Sequence, residues 1–114
     1  MMPEIIKQYN HFQNKYPSSI VLIRVGDFYE AFNNSASVLN SVCGIPITHR
    51  KDLDNIPMVG VPFHSVDIYL KKLTEAGHKV GLVEQLENPA DGVVKRDLVR
   101  LTECKIVPVP ESEV

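Results

Sequence analysis

The residues richest in usable chemistry fall in one short stretch, Val25-Gly26-Asp27-Phe28-Tyr29-Glu30. A Gly-Asp pair at a strand end can present a ring on a tip. On an extended backbone Phe28 and Glu30, two positions apart, share one face, while Tyr29 points the other way, towards the interior. An aromatic ring beside a carboxyl group makes a two-part tool for a nucleobase. The ring stacks on the base or wedges beside it, and the carboxyl group hydrogen-bonds the base edge. The residues alone also allow a plainer reading, because Phe in an alternating strand usually belongs to the core. Two basic groups could meet phosphates. One is Thr48-His49-Arg50-Lys51; the other is Lys95, Arg96 and Arg100 in the last predicted strand. Simple alternation puts Arg96 and Arg100 on one face and Lys95 on the other. For both groups the alternative is an ordinary solvated surface.

Other chemistry is poorly represented. The sequence has no GxxxxGK[ST] phosphate loop, no GxSxG elbow and no HExxH helix, so P-loop, serine-hydrolase and zincin mechanisms have no frame. His11, His49, His64 and His78 fall on different predicted elements, and none lies three or four residues from another His or Cys. No metal site or cofactor is expected. Cys43 and Cys104 are far apart and lack CxxC spacing, which signals neither zinc nor a disulfide framework. One enzyme-like pattern survives: Glu103-Cys104-Lys105, with Asp91 upstream, could hold Mg²⁺ and orient water as a metal-dependent nuclease does. The same triplet is also common at solvated strand ends.

The chain has 114 residues, 44% hydrophobic and 23% charged, enough for one small domain with its own core and too apolar for intrinsic disorder. It has no apolar run of about 18 residues, and Met1-Met2-Pro3-Glu4 lacks the basic and apolar segments of a signal peptide. A cytoplasmic location is expected. Twelve Lys plus Arg against fourteen Asp plus Glu give a net charge of −2. Binding nucleic acid through broad electrostatics ordinarily needs an excess of Lys and Arg, so such a role here must rest on a local patch or on a larger assembly.

There is no internal repeat or interior linker to divide the chain. A first helix is predicted from Pro3 to Lys15, with Ile5, Tyr9, Phe12 and Tyr16 at helical spacing. Ile20-Val21-Leu22-Ile23 reads as a strand covered on both faces, and Phe28–Phe32 as a short second strand or turn. Asn33, Asn34 and Ser35 are N-cap candidates for a second helix that Gly44 ends. Ile45–Thr48 is expected as an edge strand interrupted by Pro46, residues 49–55 as a polar loop and Ile56–Val61 as a further strand. Ser65 caps a third helix carrying Val66, Tyr69, Leu70 and Leu73. Lys79–Glu84 and Val93–Thr102 are the last strands, with a turn at Asn88–Gly92. This order predicts an α/β fold: a single compact domain with a mixed β-sheet flanked by about three helices. The domain is expected over residues 1–103, with a short Pro-containing acidic tail over 104–114.

GDFYE at Gly26–Glu30, IPMVGVPFHSVDIYL at Ile56–Leu70 and VGLVEQ at Val80–Gln85 resemble the amino-terminal mismatch-recognition domain of MutS DNA mismatch-repair proteins. MMPEIIKQY near the start and VVKRDLVR at Val93–Arg100 extend the likeness in order over about residues 1–101. The resemblance implies that Phe28 stacks on a mispaired or unpaired base from the minor groove and that Glu30 hydrogen-bonds it, which reverses the core reading of Phe28. It implies that Arg50, Arg96 and Arg100 contact the DNA backbone. It implies a non-catalytic role, with double-stranded DNA carrying a mismatch or unpaired base as partner and a separate repair ATPase or other protein beside it. A carboxyl group that meets purine N7, which only accepts hydrogen bonds, must carry a proton. The connector, levers, clamps and P-loop ATPase of whole MutS proteins are not in this sequence, which reads as a freestanding homologue of the domain. The stretch between Arg50 and Ile56 is short for the family. The other reading is an adaptor domain that kept the fold without autonomous DNA binding. Exposure of the Phe28 ring separates the two.

Overall fold

The β-branched run at Ile20–Ile23 becomes the middle of the molecule. The computed structural model describes residues 3–85 and 96–102. Among them lie strands β1 (Ser19–Val25), β2 (Phe28–Phe32), β3 (Thr48–Arg50), β4 (Ile56–Pro62), β5 (Lys79–Gln85) and β6 (Arg96–Thr102) and helices α1 (Glu4–Lys15), α2 (Asn33–Cys43) and α3 (Val66–Glu75). The strands form one sheet in the order β3-β4-β2-β1-β5-β6. Strand β1 pairs antiparallel with β2 and parallel with β5, while β2–β4, β3–β4 and β5–β6 are antiparallel. The expected mixed α/β sheet in a single compact domain is therefore present. The parallel pairing requires a crossover, and α3 supplies it between β4 and β5.

Period-two alternation on β1 divides the core into two layers. Ile20 and Leu22 join Tyr29, Ala31, Val59, Val61, Val80 and Leu82 under α2 and α3, through Ala36, Leu39, Leu70 and Leu73. Val21 and Ile23 turn to the other face, where Phe32 and Val83 meet Ile6, Tyr9 and Phe12 of α1. Each fully buried aliphatic of this kind contributes roughly 1.5–3 kcal/mol. The sheet is thus sealed by two helices on one face and by one on the other. A single helix is too narrow to cover six strands, and the uncovered part of its face is where the polar chemistry collects.

Several elements differ from expectation for physical reasons. The buried stripe of α1 is Ile6, Tyr9 and Phe12, with Ile5 and Tyr16 at its margin. Asn33, Asn34 and Ser35 do not cap α2 but lie within it. Strand β2 runs straight into the helix, and extended Phe32, 1% exposed, takes the N-cap position because its ring is anchored in the core. The Ser35 hydroxyl turns inward instead, accepting from the Val21 N–H at 3.3 Å and donating to Gln13 at 2.9 Å. The strand expected at Ile45–Thr48 is displaced to Thr48–Arg50, since Pro46 has no N–H for a ladder. The polar loop after it holds one 3₁₀ turn, Lys51–Leu53, pinned by buried Leu53. On β6 a register shift interrupts the alternation: position 96 pairs with Gln85 and position 100 with Leu82, partners three residues apart. Arg96 and Arg100 therefore do not keep the shared-face register that simple alternation gives. The turn at Asn88–Gly92 and the boundary at 103/104 with the tail lie outside the described residues.

Candidate nucleic-acid interface

The antiparallel and parallel pairings gather the carboxyl ends of β1, β4 and β5 and the starts of β2 and β6 at one end of the sheet. There β1 and β2 join through Gly26-Asp27, with Val25 opposite Phe28. Gly26 has φ +59° and Asp27 has no positive φ, the pattern of a type II′ hairpin, which wants glycine first. The tip is held from several directions. The Gly26 N–H donates to Gln85 Oε1 at 2.8 Å, and the Phe63 N–H donates to the Asp27 carbonyl at 2.9 Å. The Arg24 guanidinium lies 4.0 Å over the Phe63 ring and donates to the Gly26 carbonyl at 2.5 Å and to Glu84 at 3.4 Å. The Tyr29 hydroxyl donates to the other Glu84 oxygen. GDFYE, the PFH segment and VEQ thus form one clamp, whose product is a fixed position for Phe28.

Phe28 is 49% exposed, whereas Tyr29 beside it is 5% exposed. Phe28 stands opposite Pro62 and close to Gly60, where an added Cβ would lie 3.9 Å from the ring and 3.7 Å from Met58 Sδ. The glycine leaves open the floor of a groove of about 390 Å³ lined by Phe28, Glu30, Pro46, Thr48, Met58 and Gly60.

Glu30 is buried on that face. Arg50 Nη1 donates to both of its carboxylate oxygens at 2.9 Å. The same guanidinium donates from Nε to Asp52 Oδ1 at 3.1 Å and from Nη2 to Oδ2 at 2.5 Å. Burial pushes the Glu30 carboxyl above its ordinary range, against the pull of Arg50 and a smaller pull from Arg96. The hydrogen bonds from Arg50 hold the exposed Asp52 carboxyl below its range. Arg96 lies on the far side of Glu30 from Arg50. Its Nε donates to the Arg24 carbonyl at 2.8 Å and its Nη1 to Gln8 of α1. Burial lowers its pKa, and the charges of Glu30 and Glu4 partly restore it.

The structure therefore brings together Phe28, Glu30, Arg50 and Arg96. Arg100 occupies a β6 position opposite Leu82; its side chain lies outside the described residues, as do Lys95 and the Asp91, Glu103 and Lys105 of the nuclease reading. Among the described residues no group of three His, Cys, Asp or Glu side chains could hold a metal ion, and no helix is long and apolar enough to cross a membrane. Sequence reasoning missed Asp52 and the groove floor. The signal available for the floor was the IPMVG segment, whose alternation could have been aligned against FYEAF. Chemically, the arrangement can stack on a flat ring, offer a carboxyl to its edge and turn guanidinium groups towards anions.

These features define a small α/β domain that presents an aromatic, a carboxyl and two arginines on one face of a mixed sheet. The chain belongs to the MutS domain I family, whose pattern matches residues 3–104. It is 46% identical over 99 residues to the DNA mismatch repair protein MutS of Fervidobacterium nodosum, and 46% identical over 99 residues to that of Thermosipho melanesiensis. It is 43% identical over 102 residues to the MutS of Aquifex pyrophilus. Each match covers 85% of this chain and 12% of the relative, so the chain spans about an eighth of the length of these relatives.

Proposed function

We propose that this chain is a non-catalytic DNA-binding module of mismatch repair, working in the cytoplasm, that recognises mismatched or distorted duplex DNA through Phe28 and Glu30. The observation that carries the reading is the half-exposed Phe28 ring on a clamped hairpin tip. An apolar ring left in water beside a buried carboxyl is costly for a fold and useful for a wedge. Unstacking a base step costs a few kcal/mol, least at a mispaired step, and stacking a base on an aromatic returns about 1–3 kcal/mol. The ring thus reads weakness of the duplex rather than its sequence. Glu30 then hydrogen-bonds the displaced base and, where it meets purine N7, does so as the protonated acid. Burial already favours that form. Arg50, Arg96 and Arg100 are the proposed backbone contacts, and a separate repair ATPase or other protein is the proposed protein partner. Three phosphate contacts give a salt slope near about −3 and affinity towards the non-specific range of about 10⁻⁴–10⁻⁶ M.

The net charge of −2 favours a second reading, an adaptor domain with the same fold and no autonomous DNA binding. Fluorescence anisotropy at about 50 mM salt separates the two. Labelled duplexes with one G·T mismatch or one unpaired T are compared with a paired duplex, each against wild type and Phe28→Ala. A preference for the defect that vanishes in Phe28→Ala establishes the mismatch reader. Equal or absent binding of both duplexes up to high concentration means that Phe28 and Glu30 work only inside a larger complex, and absent binding favours the adaptor.

A further inference from the structure

As it stands, the tool is closed. Both Glu30 carboxylate oxygens are taken by Arg50 Nη1, and the remaining edge of that guanidinium is taken by Asp52. Glu30 cannot turn to a base edge, nor Arg50 to a phosphate, without breaking this chain of contacts. The pose of Arg50 is built rather than accidental. Its carbonyl accepts from the Asn55 N–H at 2.9 Å, Asp54 and Asn55 both adopt left-handed φ of 57°, and buried Leu53 anchors the turn that carries Asp52. Among the described residues, the charged groups acting on Glu30 are Arg50 from β3, Asp52 from the 3₁₀ turn and Arg96 from β6. Of these Arg50 alone bonds its carboxylate directly, and its Asp52 contact is exposed, with the Asp52 side chain 63% exposed.

We propose that Arg50 is a transferable counter-ion that sets the specificity of the site: without DNA it holds the Glu30 carboxylate, posed by Asp52, and a docked backbone phosphate draws it away. The inference rests on the DNA-binding reading above. Its consequence is discrimination. Once Arg50 has moved to phosphate, Glu30 is a bare buried carboxylate. Against a paired duplex it finds no donor and opposes closure, whereas against a displaced base it takes one proton from solvent and donates it in a hydrogen bond. One guanidinium thereby couples arrival of the backbone to inspection of the base. Arg50 acts on the base through Glu30 and is a positioning residue in that step.

The test uses the whole 114-residue chain with Arg50→Gln and Arg50→Lys. The Glu30 carboxyl is titrated by carbon-13 NMR without DNA, and mismatched and paired duplexes are bound from about pH 6 to about pH 8.5. Removing a cation in direct contact raises a carboxyl titration by about one pH unit or more. The expected result for Arg50→Gln is weaker binding of both duplexes, with the pH at which mismatch preference begins to fall moved up by about one unit, matching the shift in the free protein. Arg50→Lys keeps a point charge for phosphate but cannot span Glu30 and Asp52. It is expected to bind both duplexes more tightly than Arg50→Gln does and still show the upward shift, and it keeps the test readable if Arg50→Gln melts early. A Phe28-dependent mismatch preference whose pH profile is the same in wild type, Arg50→Gln and Arg50→Lys overturns the counter-ion role and leaves the mismatch reading standing. Absence of any Phe28-dependent preference in wild type overturns both.

Discussion

The two faces of the sheet are finished in different ways at the end where β1 meets β2. On the face under α2 and α3, Tyr29 is buried and its hydroxyl is satisfied by Glu84, which also pairs with Arg24. On the face under α1, the next residues outward are half-exposed Phe28 and buried Glu30. The same five-residue strand therefore serves as scaffold on one side and as instrument on the other. The physical origin of the difference is coverage. Two helices cover one face over β1, β2, β4 and β5, while α1 alone leaves β2, β4 and the edge strand β3 open beyond Phe32 and Met58. Stability should be concentrated in residues facing the closed layers, and ligand response in the few that do not.

The comparison is broken most severely at Phe32 and Phe28, two aromatics on one face of β2. Phe32 is 1% exposed and packs edge-on against Tyr9 at 5.0 Å. Phe32→Ala should lower unfolding free energy by about 3–5 kcal/mol in urea denaturation. Phe28→Ala should cost only about 1–2 kcal/mol, since about half of the residue is already in water, while removing the defect preference in anisotropy. Equal destabilisation by the two would show that Phe28 is core in all but surface area, and the division into scaffold and instrument would fail.

How far this division was legible in the sequence depends on the distance over which each feature is encoded. Strand β1 and helix α3 were readable because a β-branched run and a helical repeat are local signals. The N-terminus of α2 was misread because Ser35 and the asparagines are good caps in isolation, and only the burial of Phe32 moves the start of the helix. The edge strand was displaced by Pro46, whose missing N–H matters only once the partner β4 is known. Phe28 was ambiguous on the residues alone. The resemblance singled it out, and its exposure follows from the width of α1, which no window of sequence contains. The Glu30–Arg50–Asp52 contacts were not legible at all. Their halves lie twenty residues apart and meet through the pairing of β2 and β3 on opposite edges of β4.

A sharper test of the clamp that positions Phe28 is Gly26→Ala. No atom lies within 4 Å of the added Cβ, so any effect is conformational. At φ +59° an L-residue costs about 1–2 kcal/mol. The expected result is that loss of stability by chemical denaturation, together with weaker defect preference, because a strained tip relaxes away from Gln85 and carries Phe28 with it. If stability falls by this amount and defect preference is untouched, the tip does not position the ring.

The smallest expected effect is the most specific to Glu30. Burial raises its folded-state pKa above the ordinary value of 4.5, so the native state holds this proton more tightly than the unfolded chain does. Stability from the group is then fully present below about pH 4.5 and is lost as pH rises through the raised folded value. Asp52, on the same guanidinium, runs the opposite way. Its pKa is lowered by Arg50, so its contribution is present above its ordinary 3.8 and lost as pH falls. Glu30→Gln removes only the first dependence. In thermal melts the variant should therefore gain on wild type as pH rises from about 4 to about 7, with the Asp52-linked loss in acid common to both. A gap that instead moves against Glu30→Gln with rising pH would mean that Arg50 outweighs burial at this carboxyl. The fold would then favour the charged carboxylate on the open face, and the proton affinity that the base contact needs would have to arise only when DNA docks.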